Sequence, residues 1–251
     1  MPCKLGNWSL ELKLVNSDIE QVDSQKLLGV TIDKHLSFDG HVEELCKKLS
    51  QRIAVLRKIR RFIPAEQRIL YYNAMIKQVM LYGSTIWSNC SADNLTRILK
   101  LQKHAARVIL GADTRSNSVN LFNKLGWLPF YDEAEVNKCS LVLKRLQANC
   151  PSYIDLLKCN ADLHTRSGWY SALNLVCPRY NRESEGGRSF SVSATRLWNS
   201  LPIDLKRGTC VTSFRKAIYS LLLMRYSDVD HLSFSFRLIR HFTTFLSLDP
   251  S

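Results

Sequence analysis

The first part of the chain alternates in the manner of β-strands. Apolar and polar side chains follow each other with period two over residues 8–15 and again over residues 19–22, and turn-forming residues separate the two stretches at positions 16–18. Residues 26–33 are rich in branched side chains and predict a further strand. A unit of so few strands is not stable by itself. The pattern therefore predicts a small antiparallel β unit that packs against the rest of the chain.

From about Gly40 the apolar residues recur every three or four positions, which is the period of an α-helix. The first apolar stripe consists of Val42, Leu45, Leu49, Ile53, Leu56 and Ile59. Pro64 ends this helix and suits the start of the next one. The apolar positions of that second helix are Ile69, Leu70, Ile76, Val79 and Met80. A third helix follows the capping residues 91–93 and ends at Gly111, so that three helices with short links predict a compact bundle.

Helical periodicity returns in the second half of the chain. The predicted helices span residues 118–125, 132–148, 153–158, 193–200 and 211–225. Between them, residues 160–190 lose the periodicity, and the segment 182–188 has the composition of a linker or an exposed loop.

The predicted fold class is therefore mainly α, with a small N-terminal antiparallel β unit followed by a helical bundle and further C-terminal helices. We place the boundaries by the changes in pattern, and residues 161–190 are taken as a loop or linker. The predicted segments are 1–38, 39–112, 113–160, 161–190 and 191–251.

The chain carries a large excess of positive charge, with 35 Lys and Arg against 22 Asp and Glu and a net charge of +13. Such an excess favours polyanionic partners. Between Cys46 and Ala65 there is no acidic residue, and the basic ones are Lys47, Lys48, Arg52, Arg57, Lys58, Arg60 and Arg61. On an ideal helix these residues lie off the apolar stripe, and their mutual repulsion predicts an anionic partner.

A second basic group lies on the third predicted helix and consists of Arg97, Lys100, Lys103, His104 and Arg107. We expect both groups to contact the phosphates of nucleic acid, which Lys and Arg bind with release of counterions. Such contacts hold the backbone and do not read bases. Two alternatives remain open: a basic surface that only keeps the protein soluble, and a protein-interaction scaffold that docks an acidic partner.

The sequence shows no recognisable catalytic site. A polymerase needs paired acidic residues to hold two divalent metals, whereas no two aspartates are adjacent here, and Asp228 and Asp230 beside His231 predict a solvated turn. A glycine-rich phosphate loop and a nucleophile elbow are absent from the sequence. The 8 cysteines have no C-x-x-C spacing and predict free thiols instead of a zinc site. We therefore expect no enzyme activity, no metal, no cofactor and no small-molecule substrate.

The sequence also lacks signals for export or membrane insertion. Its first residues have no apolar run of the kind found in a signal peptide. The strongly apolar run near the end, residues 221–224, is too short to cross a membrane. These observations predict an intracellular protein, cytoplasmic or nuclear, without membrane contact.

Several short phrases, taken in order, resemble the region that follows the catalytic palm in the reverse transcriptases of LINE-type, non-LTR retrotransposons. In chain order they are KLLGVTID at 26–33, LSF at 36–38 with His41, LY at 70–71, LYG at 81–83 with Trp87, LQK at 101–103 with Arg107, LGWLP at 125–129, RSF at 188–190, LWNSLP at 197–202 and FRK at 214–216. In that family the Leu-Gly pair, here Leu28 and Gly29, lies in a hairpin called the primer grip. The helical thumb follows this hairpin directly.

The resemblance implies a thumb-like bundle over residues 39–112 that holds RNA or an RNA–DNA duplex by its backbone. It also implies that the endonuclease, fingers and palm lie outside this chain, and that the palm and fingers are candidate partners. A truncated element copy, a fragmentary gene model and a domesticated remnant all remain open, as does a translated relic without function.

The phrases that carry the resemblance include several aromatic residues, which could either pack in the core or stack on bases. We expect Tyr82, Trp87, Trp127 and Trp198 to anchor the core instead of stacking on bases, because large rings dominate the packing of cores. Gly29 is expected to serve a tight backbone turn.

Overall fold

The structure, a computed structural model, describes residues 13–14, 17–18, 20, 22–147, 157–159, 173–181, 186–208 and 210–228. It confirms the predicted fold class, because short antiparallel strands precede a series of helices. Within these ranges, no helix is long and apolar enough to cross a membrane.

Two antiparallel pairs of strands form the β unit. In the first, β1 (Lys13–Leu14) pairs with β2 (Ser17–Asp18). In the second, β3 (Ser24–Leu27) pairs with β4 (Val30–Asp33). Residues 8–12 and 15 of the first predicted strand lie outside the described residues, and residues 20 and 22 of the predicted 19–22 stretch are not in a strand.

Two details of the predicted β unit are wrong. Ser17 and Asp18 pair as a strand, although they were expected in the turn. Residues 26–33 are two strands joined by a turn at Leu28 and Gly29, not one strand. The φ angles of these two turn residues are 46° and 85°, the backbone of a tight two-residue hairpin. The strand was predicted from the abundance of branched side chains, which favours extended backbone but does not mark where the chain reverses.

The three predicted helices of the bundle are present. The first, α1 (Asp39–Ile59), buries the predicted stripe from Val42 to Leu56. The second consists of α2 (Ala65–Tyr71), a π-helical segment (Tyr72–Lys77) and α3 (Gln78–Leu81) in succession. A short helix that was not predicted, α4 (Ser84–Trp87), precedes the third, α5 (Ala92–Leu110).

The ends of α5 follow the predicted capping signals. The hydroxyl oxygen of Ser91 accepts a hydrogen bond from the backbone N–H of Asn94 at 3.3 Å. At the other end, Gly111 has the left-handed conformation that terminates many helices. This helix therefore begins and ends where its sequence indicates.

The prediction that Leu70 belongs to the core is wrong, because 67% of its surface is exposed. Ile69 packs against the core and Ile76 is buried, both as predicted. At about 100° per residue, Leu70 lies about 120° away from Ile76 around the helix, whereas Ile69 lies within about 20° of Ile76. The α-helical period itself therefore places Leu70 off the buried stripe.

Helices also make up most of the described residues in the second half of the chain. The helix α6 (Ser118–Leu125) has the predicted bounds, and α7 (Phe130–Leu146) begins two positions before the predicted start, directly after Pro129. They are followed by α8 (Phe190–Asn199), α9 (Ile203–Lys206) and α10 (Val211–Asp228). Of these, α9 was not predicted.

Some predictions fall largely outside the described residues. The predicted helix 153–158 overlaps them only at Leu157 and Lys158, which are not helical. Residues 182–185 of the predicted linker lie outside them, as do Asp230 and His231 with the rest of the tail after Asp228.

The apolar side chains form two clusters. The first joins α1, the π-helical segment, α5 and α6, and in it the rings of Tyr72 and Trp127 stack with their centroids 3.8 Å apart. The second joins α7, α8 and α10 around Trp198, whose ring lies 5.9 Å from that of Phe214. Burial of Trp87, Trp127 and Trp198 confirms their prediction as core anchors.

Candidate nucleic-acid interface

The positive residues of α1 do not share one environment. Near the start of the helix, Lys47 forms an ion pair with Glu43 at 2.8 Å. The Nζ atom of Lys48 lies 3.9 Å from the carboxylate of Glu44. The same carboxylate forms an ion pair with Nζ of Lys26 at 3.3 Å. All these groups are largely exposed, so each pair is worth only about 0–1 kcal/mol. Their charges are nevertheless balanced locally, and this part of α1 is not purely cationic.

Two of the seven basic residues are half-buried, which corrects the expectation that all of them lie clear of the apolar stripe. The guanidinium group of Arg52 donates a hydrogen bond to the carbonyl of Met75 in the π-helical segment. Arg60 comes four residues after the buried Leu56, and its N–H donates to the Leu56 carbonyl at 3.0 Å. A spacing of four places it on the core side of the last turn.

The other end of α1 carries no acidic residue. Arg57, Lys58 and Arg61 are exposed there, and no acidic group from the described residues lies within ion-pair distance of them. Because Arg57 and Lys58 occupy the last turn, the negative end of the helix dipole stabilises them by about 0.3–1 kcal/mol each. The helix can therefore hold these charges without a neighbouring carboxylate.

Helices α1 and α5 run in the same direction, side by side. At their beginnings, the amide nitrogen of Asn94 donates to the carboxylate of Asp39 at 2.6 Å. Towards their ends, Nη2 of Arg57 lies 2.6 Å from Nε2 of His104. The two basic groups predicted from the sequence, one on each helix, therefore meet where Arg57 touches His104.

The protonation state of His104 follows from its burial and from the charges of its neighbours. Burial lowers the pKa of its imidazole, and the positive charges of Arg57 and Arg107 lower it further. A neutral imidazole nitrogen can accept the hydrogen bond that Arg57 donates. Two guanidinium groups and a neutral ring therefore come together here without a carboxylate.

The parallel arrangement gives the bundle an acidic end and a basic end. The acidic residues of α1 are Asp39, Glu43 and Glu44, and that of α5 is Asp93, so all of them lie early in their helices. The basic end consists of Arg57, Lys58, Arg60, Arg61, Lys103, His104 and Arg107. This concentration of positive charge arises from the direction of the two helices as much as from their composition.

The remaining predicted residues of α5 are distributed over its length. Arg97 is exposed and lies near the acidic end, where the hydrogen bond and charge of Lys47 lower the pKa of Glu43 and the charge of Arg97 adds to the effect. Lys100 is exposed midway along the helix. Lys103 is half-buried, and burial followed by the charge of Arg107 lowers its pKa. Arg107 donates to the carbonyl of Ser116 at 3.4 Å.

One residue that the charge pattern did not single out organises the basic end. Nε of Arg68 on α2 donates to the carbonyl of Ile63 at 2.9 Å, and its Nη1 donates to the carbonyl of Ile109 at 2.8 Å. Arg68 thereby ties the turn after α1 to the last turn of α5. It lies beyond Glu66 and outside the acid-free run, so neither the charge run nor the apolar periodicity identifies it.

The primer-grip-like turn lies nearer the acidic end. Leu28 is 83% exposed at its tip, and its carbonyl accepts a hydrogen bond from the hydroxyl of Tyr82 at 2.8 Å. A Cβ on Gly29 would lie 3.4 Å from the ring of Tyr82, and the positive φ of Gly29 confirms its role in a tight turn. Tyr82 is itself 57% exposed, so its prediction as a core anchor is wrong. Its ring and hydroxyl support the turn instead.

A cluster of buried carboxylates, which the sequence reasoning missed, opens α7. Asp132, Glu133 and Glu135 are all buried, and Glu133 forms an ion pair with Lys77 at 2.8 Å. Burial raises the pKa of Asp132 well above its ordinary value, and the charges of Glu135 and Glu133 add to the effect. In the part of the chain that the structure describes, no three or more His, Cys, Asp or Glu side chains are placed to hold a metal ion.

Comparison with known proteins confirms the resemblance to retrotransposon reverse transcriptases. The chain is 26% identical over 125 residues to a probable RNA-directed DNA polymerase from transposon X-element of Drosophila melanogaster, covering 49% of this chain and 14% of that protein. It is 30% identical over 94 residues to a probable RNA-directed DNA polymerase from transposon BS of the same species, covering 36% of this chain and 10% of that protein. No protein-family model and no solved structure matches the chain. The chain thus matches only a small part of the length of these relatives.

Proposed function

Because the chain resembles the reverse transcriptases of LINE-type retrotransposons, we propose that it is a nucleic-acid-gripping part of such a polymerase. In this proposal the residues 39–112 act as a thumb-like bundle that holds RNA or an RNA–DNA duplex by its phosphates. The chain performs no catalysis itself, and it works with a palm and fingers on another part of the polymerase.

The proposal rests on one observation: the ends of α1 and α5, which carry no acidic residue, are in contact. Arg57 of α1 and His104 of α5 are in contact, and the remaining cations of the basic end come from the same two helix ends. Six Lys and Arg side chains thus belong to these two helix ends and the turn after α1, together with the neutral ring of His104. Phosphates are the partner that such a surface suits, because each one neutralised releases condensed counterions.

The distance between the basic end and the Leu28–Gly29 turn matches a ligand that is several nucleotides long. Lys26 next to this turn pairs with Glu44, and Glu44 is 13 residues before Arg57 on α1. At 1.5 Å per residue this separation is about 20 Å. At ~3.4 Å per nucleotide it corresponds to about six nucleotide steps. A strand following α1 could therefore contact the turn and the basic end together, whereas a mononucleotide could not.

The proposal is tested by binding of the purified chain to an RNA–DNA duplex at several salt concentrations. We expect affinity to fall steeply as salt rises. Replacement of Lys58, Arg60 and Arg61 by Gln should weaken binding at low salt. It should also reduce the salt slope by about one unit for each phosphate that these side chains neutralise in the wild type.

The matched control removes three positive charges elsewhere. Lys124, Lys144 and Lys216 are exposed on α6, α7 and α10, so their replacement by Gln changes the net charge equally and should leave the binding slope nearly unchanged. Equally weakened binding in the two triple variants would show that only total charge matters. Absence of binding at low salt would contradict the proposal. Capture of an acidic protein that depends on Lys58, Arg60 and Arg61, without binding of nucleic acid, would favour the scaffold alternative.

A further inference from the structure

Phe62 projects into solvent directly beside the basic end. Its surface is 84% exposed, although a phenyl ring gains free energy by leaving water. The ring follows Arg60 and Arg61 in the turn between α1 and α2. The next residue, Ile63, is half-buried, whereas Phe62 is exposed. Packing within the described chain therefore does not explain an aromatic residue at position 62.

The backbone that carries Phe62 is held in place from both sides. The N–H of Phe62 donates to the carbonyl of Ile59 at 2.9 Å. The carbonyl of Ile63 accepts from Arg68, whose other hydrogen bond reaches Ile109 at the end of α5. Pro64 restricts the backbone of Ile63 to extended conformations. A ring presented from a fixed turn loses little further conformational entropy when it binds a ligand.

We propose that Phe62 is a stacking platform for an unpaired base of the nucleic acid held at the basic end. The inference rests on the proposed function and goes beyond it, because it adds a contact with a base to the contacts with phosphates. Aromatic rings stack on bases of any sequence, and flanking cations hold the backbone on either side. The ligand it favours is therefore a duplex with a single-stranded extension instead of a blunt duplex.

The test compares two probes: a blunt RNA–DNA duplex and the same duplex with a short single-stranded extension. Phe62→Ala should weaken binding of the extended probe about tenfold, the effect typical of one stacked base. It should change binding of the blunt duplex by less than about twofold. Phe62→Trp should restore the preference. The control Leu70→Ala removes another exposed apolar side chain, 67% exposed on α2, and should leave both affinities unchanged.

A second readout locates the stacked base. With 5-iodouracil in the extension, ultraviolet light should link the probe to the peptide that contains Phe62. Equal affinity of Phe62→Ala for both probes, or cross-links confined to other peptides, would overturn the inference while leaving the proposed function intact. If sedimentation of the chain with anionic lipid vesicles depended on Phe62, the inference would be overturned in favour of a membrane contact. Failure of the wild-type chain to bind either probe would instead contradict the proposed function, and the inference would fall with it.

Discussion

At the scale of single residues, neighbours in sequence can have opposite environments. Val55 is 47% exposed and Leu56 is completely buried, although both are aliphatic residues on α1. Only Leu56 belongs to the stripe that faces the first apolar cluster. The spacing of three and four along the helix, and not the hydrophobicity of each residue, separates them.

We expect Leu56→Asp to lower the free energy of unfolding by at least about 3 kcal/mol, because it places a charge in the core. Val55→Asp is the matched control and should change the free energy of unfolding by less than about 1 kcal/mol. Urea denaturation followed by circular dichroism measures both values. Equal stability of the two variants would show that α1 packs with a different face.

The pair Tyr82 and Leu28 shows how one side chain can support a distant turn. The phenol hydroxyl donates to the Leu28 carbonyl across 54 positions of sequence, and the ring closes over Gly29. An aromatic residue in an apolar phrase is usually assigned to the core. Here the extended backbone at Tyr82, directly after α3, directs the ring towards the hairpin. A turn with an exposed Leu28 is therefore fixed by a residue that is itself exposed.

At the scale of elements, α7 carries buried carboxylates and packs against several other helices. It packs against α3, α4 and α5 on one part of its surface and against α8 and α10 on another. Its first turns carry Asp132, Glu133 and Glu135, all buried, and burial raises the pKa of Glu133 as it does that of Asp132. Lys77 from the π-helical segment compensates Glu133 by direct contact.

The raised pKa of Asp132 makes stability depend on pH. Above the ordinary pKa of 3.8 the unfolded chain loses this proton while the folded chain keeps it. The contribution of Asp132 to the free energy of unfolding therefore falls as pH rises above 3.8, until the folded carboxyl also ionises. Asp132→Asn removes the ionisation, so the variant should be more stable than the wild type at about pH 7, and the gain should shrink towards about pH 4.

Thermal unfolding of both proteins across this pH range measures the effect. The exposed Asp204 on α9 provides a control, because Asp204→Asn removes a carboxylate from the surface and should leave the pH dependence nearly unchanged. A wild type whose stability relative to Asp132→Asn is independent of pH would show that Asp132 is not held in its neutral form.

At the scale of the whole molecule, charge is separated along the bundle. The first turns of α1 and α5 carry the carboxylates, and their last turns carry the basic end. A chain with a net charge of +13 attracts polyanions from any direction. The separation directs that attraction towards the end where the last turns of α1 and α5 carry basic residues and no carboxylate.

The chain alone should not extend a primer on an RNA template, because the proposal assigns catalysis to the palm. Primer extension with Mg²⁺ and deoxynucleotides should give product at the level of a protein-free reaction. The same preparation must bind the template–primer in the salt titration, so that a negative result is not due to unfolding. Extension above background that is abolished in a variant of this chain would contradict the assignment.

The longer helices and the excess of positive charge could be predicted from the sequence alone. Apolar residues at intervals of three and four predict α1 and α5 because helix geometry places them on one side. Ser91 and Gly111 mark the ends of α5 because their preferences are local. Properties that depend on a few consecutive residues can be predicted in this way.

The tertiary structure alone decided which of these residues lie together. The support of the Leu28–Gly29 turn by Tyr82 and the burial of Asp132 both depend on partners far away in sequence. The basic end likewise exists because α1 and α5 run in the same direction, which brings Arg57 to His104 across 47 positions. Charge run and periodicity are functions of sequence distance, whereas electrostatic potential depends on distance in space.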